Sequence, residues 1–306
     1  FKENPVFIKK EIETANRLGL YDDAERNVQS SRDCWQAKMK KKGNKKMITS
    51  SSNIQIKNLI KLQKNARTRR EQNAFVTEGK KMFEEAKTLG IVKRAYVAES
   101  YMDTISMPVE EYLKGIEYEI VDDKVLKEAA DTMTPQGIMA IVTKPAYELS
   151  DFLQGEQINL LLLEDLRDPG NLGTIMRTAE GSGISGVIMS KETVDLFNPK
   201  VVRSTMGSIF RVPFLYTEDI LTTVDELKKK DISIVATDLQ GKNNYDEEDY
   251  NKKSCIVIGN EAKGISDRMR EKADVLVKIP MCGKLESLNA SVAAGIMMYE
   301  MFRQRR

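Results

Sequence analysis

The sequence predicts an α/β protein in two parts, a small α/β domain followed by a larger one with a mostly parallel sheet. Three observations carry this expectation. The chain has 306 residues, more than the roughly 100–200 of a single domain. Beyond residue 157, short apolar runs alternate with helical patterns, as buried parallel strands joined by crossover helices do. Between residues 47 and 145 helix-like and strand-like stretches alternate on a smaller scale.

Residues 1–46 read as an appendage of no legible role, expected to be partly disordered. Stretch 7–20 has an amphipathic helical pattern, Trp35 is the single tryptophan, and the cationic run 38–46 is broken by Gly43 and Asn44. Met47 reads as the natural beginning of the small domain. In 47–145 the spacing predicts helices over 54–66, 79–89 and 124–130, and strands over 94–98, 118–121 and 138–142. Residues 146–157, with Ser150 and Gly155, read as a linker. In 158–306 the strands are 160–163, 186–189, 233–237, 255–258 and 275–279, and the helices 172–181, 218–230, 266–272 and 288–302. Ligands of open parallel sheets bind outside the carboxyl ends of the strands, so the residues after each strand are where chemistry is expected.

Composition narrows that chemistry. The chain has no histidine, which excludes imidazole bases, Ser-His-Asp triads and His-ligated metals. The three cysteines, Cys34, Cys255 and Cys282, are widely separated. They suit neither a disulfide framework nor a cysteine-built zinc site and fit a reducing cytoplasm, and no metal is expected. No apolar run approaches the ~20 residues of a membrane helix, and none at the beginning reads as a signal peptide, so no membrane association is expected.

Charge is unevenly placed. Residues 1–90 carry 21 Lys and Arg against 11 Asp and Glu, whereas the rest carry 27 against 35. Stretch 47–70 has no acidic residue but holds Lys57, Lys61, Lys64, Arg67, Arg69 and Arg70. Lys57, Lys61 and Lys64 fall on one face of a helix whose other face would use Ile56, Leu59 and Ile60. Such a stripe suits RNA phosphates, and it equally suits a solvated helix face.

Three loops stand out. In the first, Asp168-Pro169-Gly170-Asn171 is a turn signal before a helix. Asn171 is expected to be the N-cap and Arg177, about a turn and a half on, to lean back toward it or to be a surface cation. In the second, strand 255–258 ends in Gly259-Asn260-Glu261, with Gly264 following. Bare glycines there permit close approach of a ligand or unusual dihedrals. In the third, Ile279-Pro280-Met281 leaves a strand, and Ser287-Leu288-Asn289-Ala290-Ser291 opens the last helix with natural caps. Neither G-x-G-x-x-G after a strand nor G-x-x-x-x-G-K-[ST] occurs, which removes dinucleotide-binding dehydrogenases and P-loop phosphotransferases.

Taken in order, Asn171-x-Gly173-x-x-x-Arg177-x-Ala179, Gly259-Asn260-Glu261-x-x-Gly264, and Ile279-Pro280-Met281 with Ser287-Leu288-Asn289-x-Ser291-x-Ala293 resemble the three motifs of the SpoU/TrmH branch of the SPOUT RNA methyltransferases. The resemblance covers about 158–306. Residues 47–145, with Phe75-Val76-Thr77-Glu78-Gly79-Lys80 and Thr134-Pro135-Gln136-Gly137, resemble the small RNA-binding domain that often precedes that catalytic domain.

The resemblance implies a SPOUT domain with a C-terminal trefoil knot, S-adenosylmethionine as cofactor, a homodimer through the knotted domain, and methylation of a ribose 2′-hydroxyl in 23S rRNA, with tRNA as the alternative. It makes Arg177 the leading candidate to assist deprotonation of the nucleophile, which for a guanidinium that stays protonated means positioning and polarising it, and it assigns Asn171, Glu261, Ser287 and Asn289 to organising the catalytic site. Gly259, Ile279 and Leu288, with Thr237 and Met281, are implied to hold the cofactor. A non-catalytic RNA-binding protein with the same fold, and a transferase acting on a free nucleoside, are the other readings.

Overall fold

The structure is a computed structural model that describes residues 47–306. The expectations for 1–46, including the 7–20 helix and Trp35, lie outside the described residues.

The first described helix shows how the sequence sets an element's bounds. α1 (Ile54–Lys64) starts where the Asn53 side chain accepts from the Gln55 amide at 2.8 Å, and buries Ile56, Leu59, Leu62 and Gln63. Ile60 is only half-buried. The expected single helix is two: Asn65 turns extended and accepts from the amides of Arg67 and Thr68, restarting the chain as α2 (Ala66–Glu71). An Asn that caps a new helix competes with continuing the old one.

The small sheet has the order β1-β4-β2-β3, from β1 (Ala74–Glu78), β2 (Val92–Ala98), β3 (Tyr118–Val121) and β4 (Ile138–Thr143). β4 runs antiparallel to β1 and β2, and β2 runs parallel to β3. Around it lie α3 (Lys80–Thr88), α4 (Glu99–Met102), α5 (Val109–Tyr112) and α6 (Asp123–Ala129). β1 is missing from the sequence expectations. Its five residues include Thr77 and Glu78, too polar to read as a buried run, yet Thr77 is buried with its hydroxyl directed at the Ala140 carbonyl. At the β1–α3 turn Gly79 has φ +93°, and a Cβ there would stand 2.9 Å from Gln136 Oε1. Gln136 in turn accepts from the Lys80 amide at 3.0 Å, so the two stretches that resemble the RNA-binding domain meet at one helix start.

The large sheet is wholly parallel, ordered β7-β6-β5-β10-β8-β11-β9. Its strands are β5 (Asn159–Leu163), β6 (Gly186–Ser190), β7 (Phe214–Thr217), β8 (Ser233–Thr237), β9 (Asn243–Asn244), β10 (Ser254–Ile258) and β11 (Val275–Lys278). The helices are α7 (Leu149–Phe152), α8 (Pro169–Gly181), α9 (Pro199–Ser204), α10 (Ile220–Lys228), α11 (Asp267–Lys272) and α12 (Ala290–Arg305). Strand β10, late in sequence, sits between β5 and β8, which gathers three strand ends and their loops at one place.

Within stretch 146–157, mostly exposed, two aromatic residues pack down. Phe152 of α7 is buried over Gly186, where a Cβ would stand 2.6 Å from the ring, and Tyr147 meets Phe214 edge to face at 5.4 Å. Phe75 of the small sheet lies 4.8 Å from the Phe197 ring and 6.2 Å from Phe210. One apolar core therefore runs across both sheets.

The structure redirects one cation of the basic stretch. Lys57, Lys61, Lys64, Arg67 and Arg70 are exposed, Arg67 in an i,i+4 pair with Glu71. Arg69 is 3% exposed, and its guanidinium is taken by the carbonyls of Leu62 and Gln63 and by Asp195. The expected RNA contact at Arg69 is thus replaced by an internal one, because the restart at Asn65 turns this residue inward.

Candidate active site

The site is built from the loops after β5, β10 and β11. β5 is followed by Glu164, 7% exposed, whose carboxylate accepts from the Ser266 amide at 2.8 Å and hydroxyl at 2.6 Å. This ties the β5 edge to the N-cap of α11. Asp165 follows with φ +58°, a conformation costly for a non-glycine residue unless the surroundings hold it. Here Ser190 Oγ accepts from the Asp165 amide and donates to its carboxylate, and Asn260 Nδ2 donates to its carbonyl at 2.8 Å.

α8 begins one turn earlier than its sequence suggests. Asp168 is the N-cap, accepting from the Asn171 amide at 2.8 Å, with Pro169 at the first helical position. Proline at this position is pre-shaped for a helix and lacks only an orphan N–H. Asn171 is therefore not the cap, and its buried side chain serves elsewhere. Its Nδ2 donates to Glu261 Oε1 at 3.0 Å, and its Oδ1 accepts from Asn289 Nδ2 at 2.9 Å. Asn289 itself caps α12 through Oδ1.

Glu261 is the junction of the three motifs. Besides Asn171 it accepts from the amides of Arg167 at 3.1 Å and Asp168 at 2.9 Å. Burial by itself would raise its pKa, but the Asp168 amide, the Asn171 side chain and the Arg167 amide together outweigh burial and hold the carboxyl below its ordinary value. It stays a carboxylate, an acceptor that fixes the loop. Arrayed N–H donors and a carboxylate of this kind position groups; they do not abstract protons.

The glycine at the end of β10 has a local reason. A Cβ on Gly259 would stand 2.2 Å from the Gly264 carbonyl carbon and 2.3 Å from the Ile265 nitrogen. Asn260 and Gly264 exchange both backbone hydrogen bonds, and Asn260 Oδ1 accepts from the Ala262 and Lys263 amides. The close approach expected at Gly259 is, in this structure, that of the chain's own loop.

Beside this loop opens a cleft of about 330 Å³ whose lining includes Thr237, Gly259, Ile279, Met281 and Leu288, all five residues expected to hold a cofactor, together with Glu261 and Ser287. Ile258, Ala290 and Ala293 add apolar wall. Thr237 directs its hydroxyl to the Val257 carbonyl at 3.1 Å, leaving its oxygen able to accept. Arg270 lines the same cleft but is held by Asp238 through two bonds of 3.0 and 2.8 Å. A slot with apolar walls, strand-end backbone and carboxylates at its rim suits a flat heteroaromatic ligand carrying a cationic centre. Arg177 lies outside it: exposed on α8, with no hydrogen bond or ion pair among the described residues.

Sequence reasoning thus named Asn171, Glu261 and Asn289, which the structure joins, and left out Glu164, Asp165, Ser190, Asn260 and Ser266, which hold them. Asp165 carried a faint signal, since Asp tolerates positive φ better than most residues. Among the described residues no group of His, Cys, Asp and Glu is arranged to hold a metal, and no helix is long and apolar enough to cross a membrane.

Comparison with known proteins identifies the family. The SpoU rRNA Methylase family model matches residues 159–299, and the MRM3-like substrate binding domain matches residues 53–140. A 23S rRNA (guanosine(2553)-2′-O)-methyltransferase, RlmP of Bacillus subtilis, is 34% identical over 257 residues, spanning 84% of this chain and 99% of the relative. The SpoU methyltransferase AviRb from Streptomyces viridochromogenes, solved in complex with the cofactor AdoMet, superposes with a TM-score of 0.74 at 28% identity, over 83% of this chain and 99% of that one. An AdoMet-bound rRNA methyltransferase from Sinorhizobium meliloti gives a TM-score of 0.74 at 31% identity, over 84% and 97%. With its three motif loops joined at one cleft and a relative matched over nearly its whole length, the chain belongs to the SpoU rRNA methylase family.

Proposed function

We propose that this protein methylates a ribose 2′-hydroxyl of 23S rRNA with S-adenosylmethionine as donor. The observation that carries the reading is the Glu261–Asn171–Asn289 chain of hydrogen bonds, which joins all three motifs beside the cleft. Support for the rRNA substrate comes from the name of the Bacillus subtilis relative and the length over which it matches.

Thr237, Gly259, Ile279, Met281 and Leu288 would hold the cofactor, with Ile258 and Ala293 as apolar wall. S-adenosylmethionine supplies, when bound, a methyl group already activated on sulfonium sulfur. The protein is left to orient the ribose hydroxyl and assist loss of its proton. Arg177 is assigned to positioning and polarising that hydroxyl: guanidinium stays protonated and so acts as a donor and charge. Ser287, exposed at the cleft, completes the organising set with Asn171, Glu261 and Asn289.

Residues 47–145 serve as the RNA-binding part, with Lys57, Lys61, Lys64, Arg67 and Arg70 facing solvent, followed by the connection 146–157 and the catalytic part 158–306. The insertion of β10 between β5 and β8 supports reading the C-terminal segment as a trefoil knot. α12 exposes Val292, Tyr299 and Phe302 at helical spacing on one side; a second copy covers that face in a homodimer, which also puts α8 and Arg177 near the seam. A cytoplasmic location follows from the substrate.

The test is to incubate the protein with methyl-labelled cofactor and total RNA, then map 2′-O-methyl positions by resistance to alkaline cleavage. Label in a single 23S position supports the proposal. Label in tRNA or on free nucleoside, or cofactor binding with no transfer, replaces it by one of the other readings. Sedimentation of wild type against Tyr299→Glu tests the dimer.

A further inference from the structure

We infer that Arg69 and Asp195 form a positioning joint that couples the RNA-gripping helix to the catalytic loop. The inference rests on the proposed function for what the two ends do. Among the described residues three ion pairs cross between the two sheets: Arg69–Asp195, Arg203–Asp131 and Arg211–Glu85. Only the first is buried on its cationic side, at 3% against 33% and 41%; Arg211 also bridges two elements, Glu85 of α3 and Glu180 of α8, but does so at the surface.

On one side, Arg69 Nη1 donates to the carbonyls of Leu62 and Gln63, both at 2.7 Å. These belong to the last turn of α1, which carries Lys61 and Lys64. On the other, Nε and Nη2 donate to Asp195 Oδ2 at 2.9 and 2.7 Å, while Asp195 Oδ1 accepts from the Phe197 amide at 3.0 Å. A planar fork with five donors does this; an ammonium does not.

From Asp195 the bonds continue. The adjacent Val194 amide donates to the Leu166 carbonyl at 2.8 Å. Leu166 stands between Asp165, held in its positive φ by Ser190, and Arg167 and Asp168, whose amides hold Glu261. An unbroken run of short contacts therefore joins α1 to the Glu261–Asn171–Asn289 chain. RNA anchored by phosphates on α1 presents its ribose at a position set by this joint, and a misplacement of about 1 Å at a reacting centre costs on the order of 100-fold in rate. Arg69 itself touches neither RNA nor cofactor.

The experiment compares Arg69→Lys, Asp195→Asn and the uncharged pair Arg69→Met with Asp195→Leu against wild type, all in the full chain. The pair leaves no orphaned buried charge, so it folds even where a single change does not. The expected result is a fall of about tenfold or more in kcat at saturating RNA, equal to ~1.4 kcal/mol of barrier. RNA KM, the slope of log affinity against log salt, and cofactor affinity stay at wild-type values. The pair loses no more than the worse single change, the non-additivity of residues that act as one. Wild-type kcat in the folded pair overturns the inference and leaves a packing role only. A salt slope smaller by about 1 in the pair, which removes the cation, makes Arg69 a phosphate contact, which also overturns it. Should wild type methylate no RNA, the proposed function fails, a result distinct from either outcome.

Discussion

Changing Asn171 to Asp replaces its amide NH2 by one carboxylate oxygen and tests the centre of the site. The Asn171 Nδ2 lies 3.0 Å from Glu261 Oε1; the substitution puts a carboxylate oxygen there. Two unit charges at that distance repel by about 5–6 kcal/mol at an effective dielectric of 20 and about 1.4 kcal/mol in bulk water. Glu261 is exposed on its outer side, so the lower half of that range applies. The lost hydrogen bond to a charged acceptor adds about 1.5–3 kcal/mol, and a carboxylate in the first turn of α8 recovers about 0.3–1 kcal/mol. A net loss of about 2–6 kcal/mol is expected at neutral pH, a fall in Tm of roughly 4–12 °C at about 2 °C per kcal/mol for a chain of this size.

The pH dependence separates repulsion from simple loss of packing. In the variant the paired carboxyls have folded-state pKa values raised above their unfolded ones, so the penalty is full at neutral pH and fades as pH falls and one of them is protonated. In wild type the Glu261 pKa is depressed, so its contribution is present at neutral pH and is lost as pH falls through that depressed value. The gap between the two proteins therefore narrows from both sides on acidification. Melting curves near pH 7.5 and near pH 5 read the variant's side of this, because the wild-type Glu261, depressed below its ordinary value, loses its contribution only at lower pH. Methyl transfer near neutral pH is expected to fall with the melting temperature. An Asn171→Asp protein that melts and turns over like wild type at neutral pH would refute the role given to this chain of hydrogen bonds.

Arg177→Ala removes an exposed side chain that has no partner among the described residues, so stability should change by less than about 0.5 kcal/mol. Turnover should drop below about a tenth of wild type with cofactor affinity intact; retention of more activity than that takes Arg177 out of the chemistry. Gly259→Ala drives a Cβ into the Gly264–Ile265 backbone, so melting should show a loss of about 1–3 kcal/mol together with weakened cofactor binding by calorimetry. Weakened cofactor binding at wild-type stability would instead mean that a ligand approaches Gly259 directly. Changing Lys57, Lys61 and Lys64 together to Gln should lower the salt slope of RNA binding by about 2–3 if all three meet phosphates, at unchanged melting temperature because all three are exposed. An unchanged slope makes the stripe a solvated face.

The α/β class, the alternation of the large sheet and the three motif loops were legible in the sequence because each rests on local information. Apolar runs such as 160–163 and 255–258 declare buried strands through their own composition, and a loop motif declares itself by spacing. β1 escaped because its burial comes from β4 and the Phe197 and Phe210 rings, which are remote in sequence. Tertiary structure alone decided that Asn171 meets Glu261 and Asn289, and that Arg69 turns inward to Asp195. A side chain's job depends on which groups reach it across 90 to 126 residues of chain, and the burial of an amide or a guanidinium is settled only when those partners arrive.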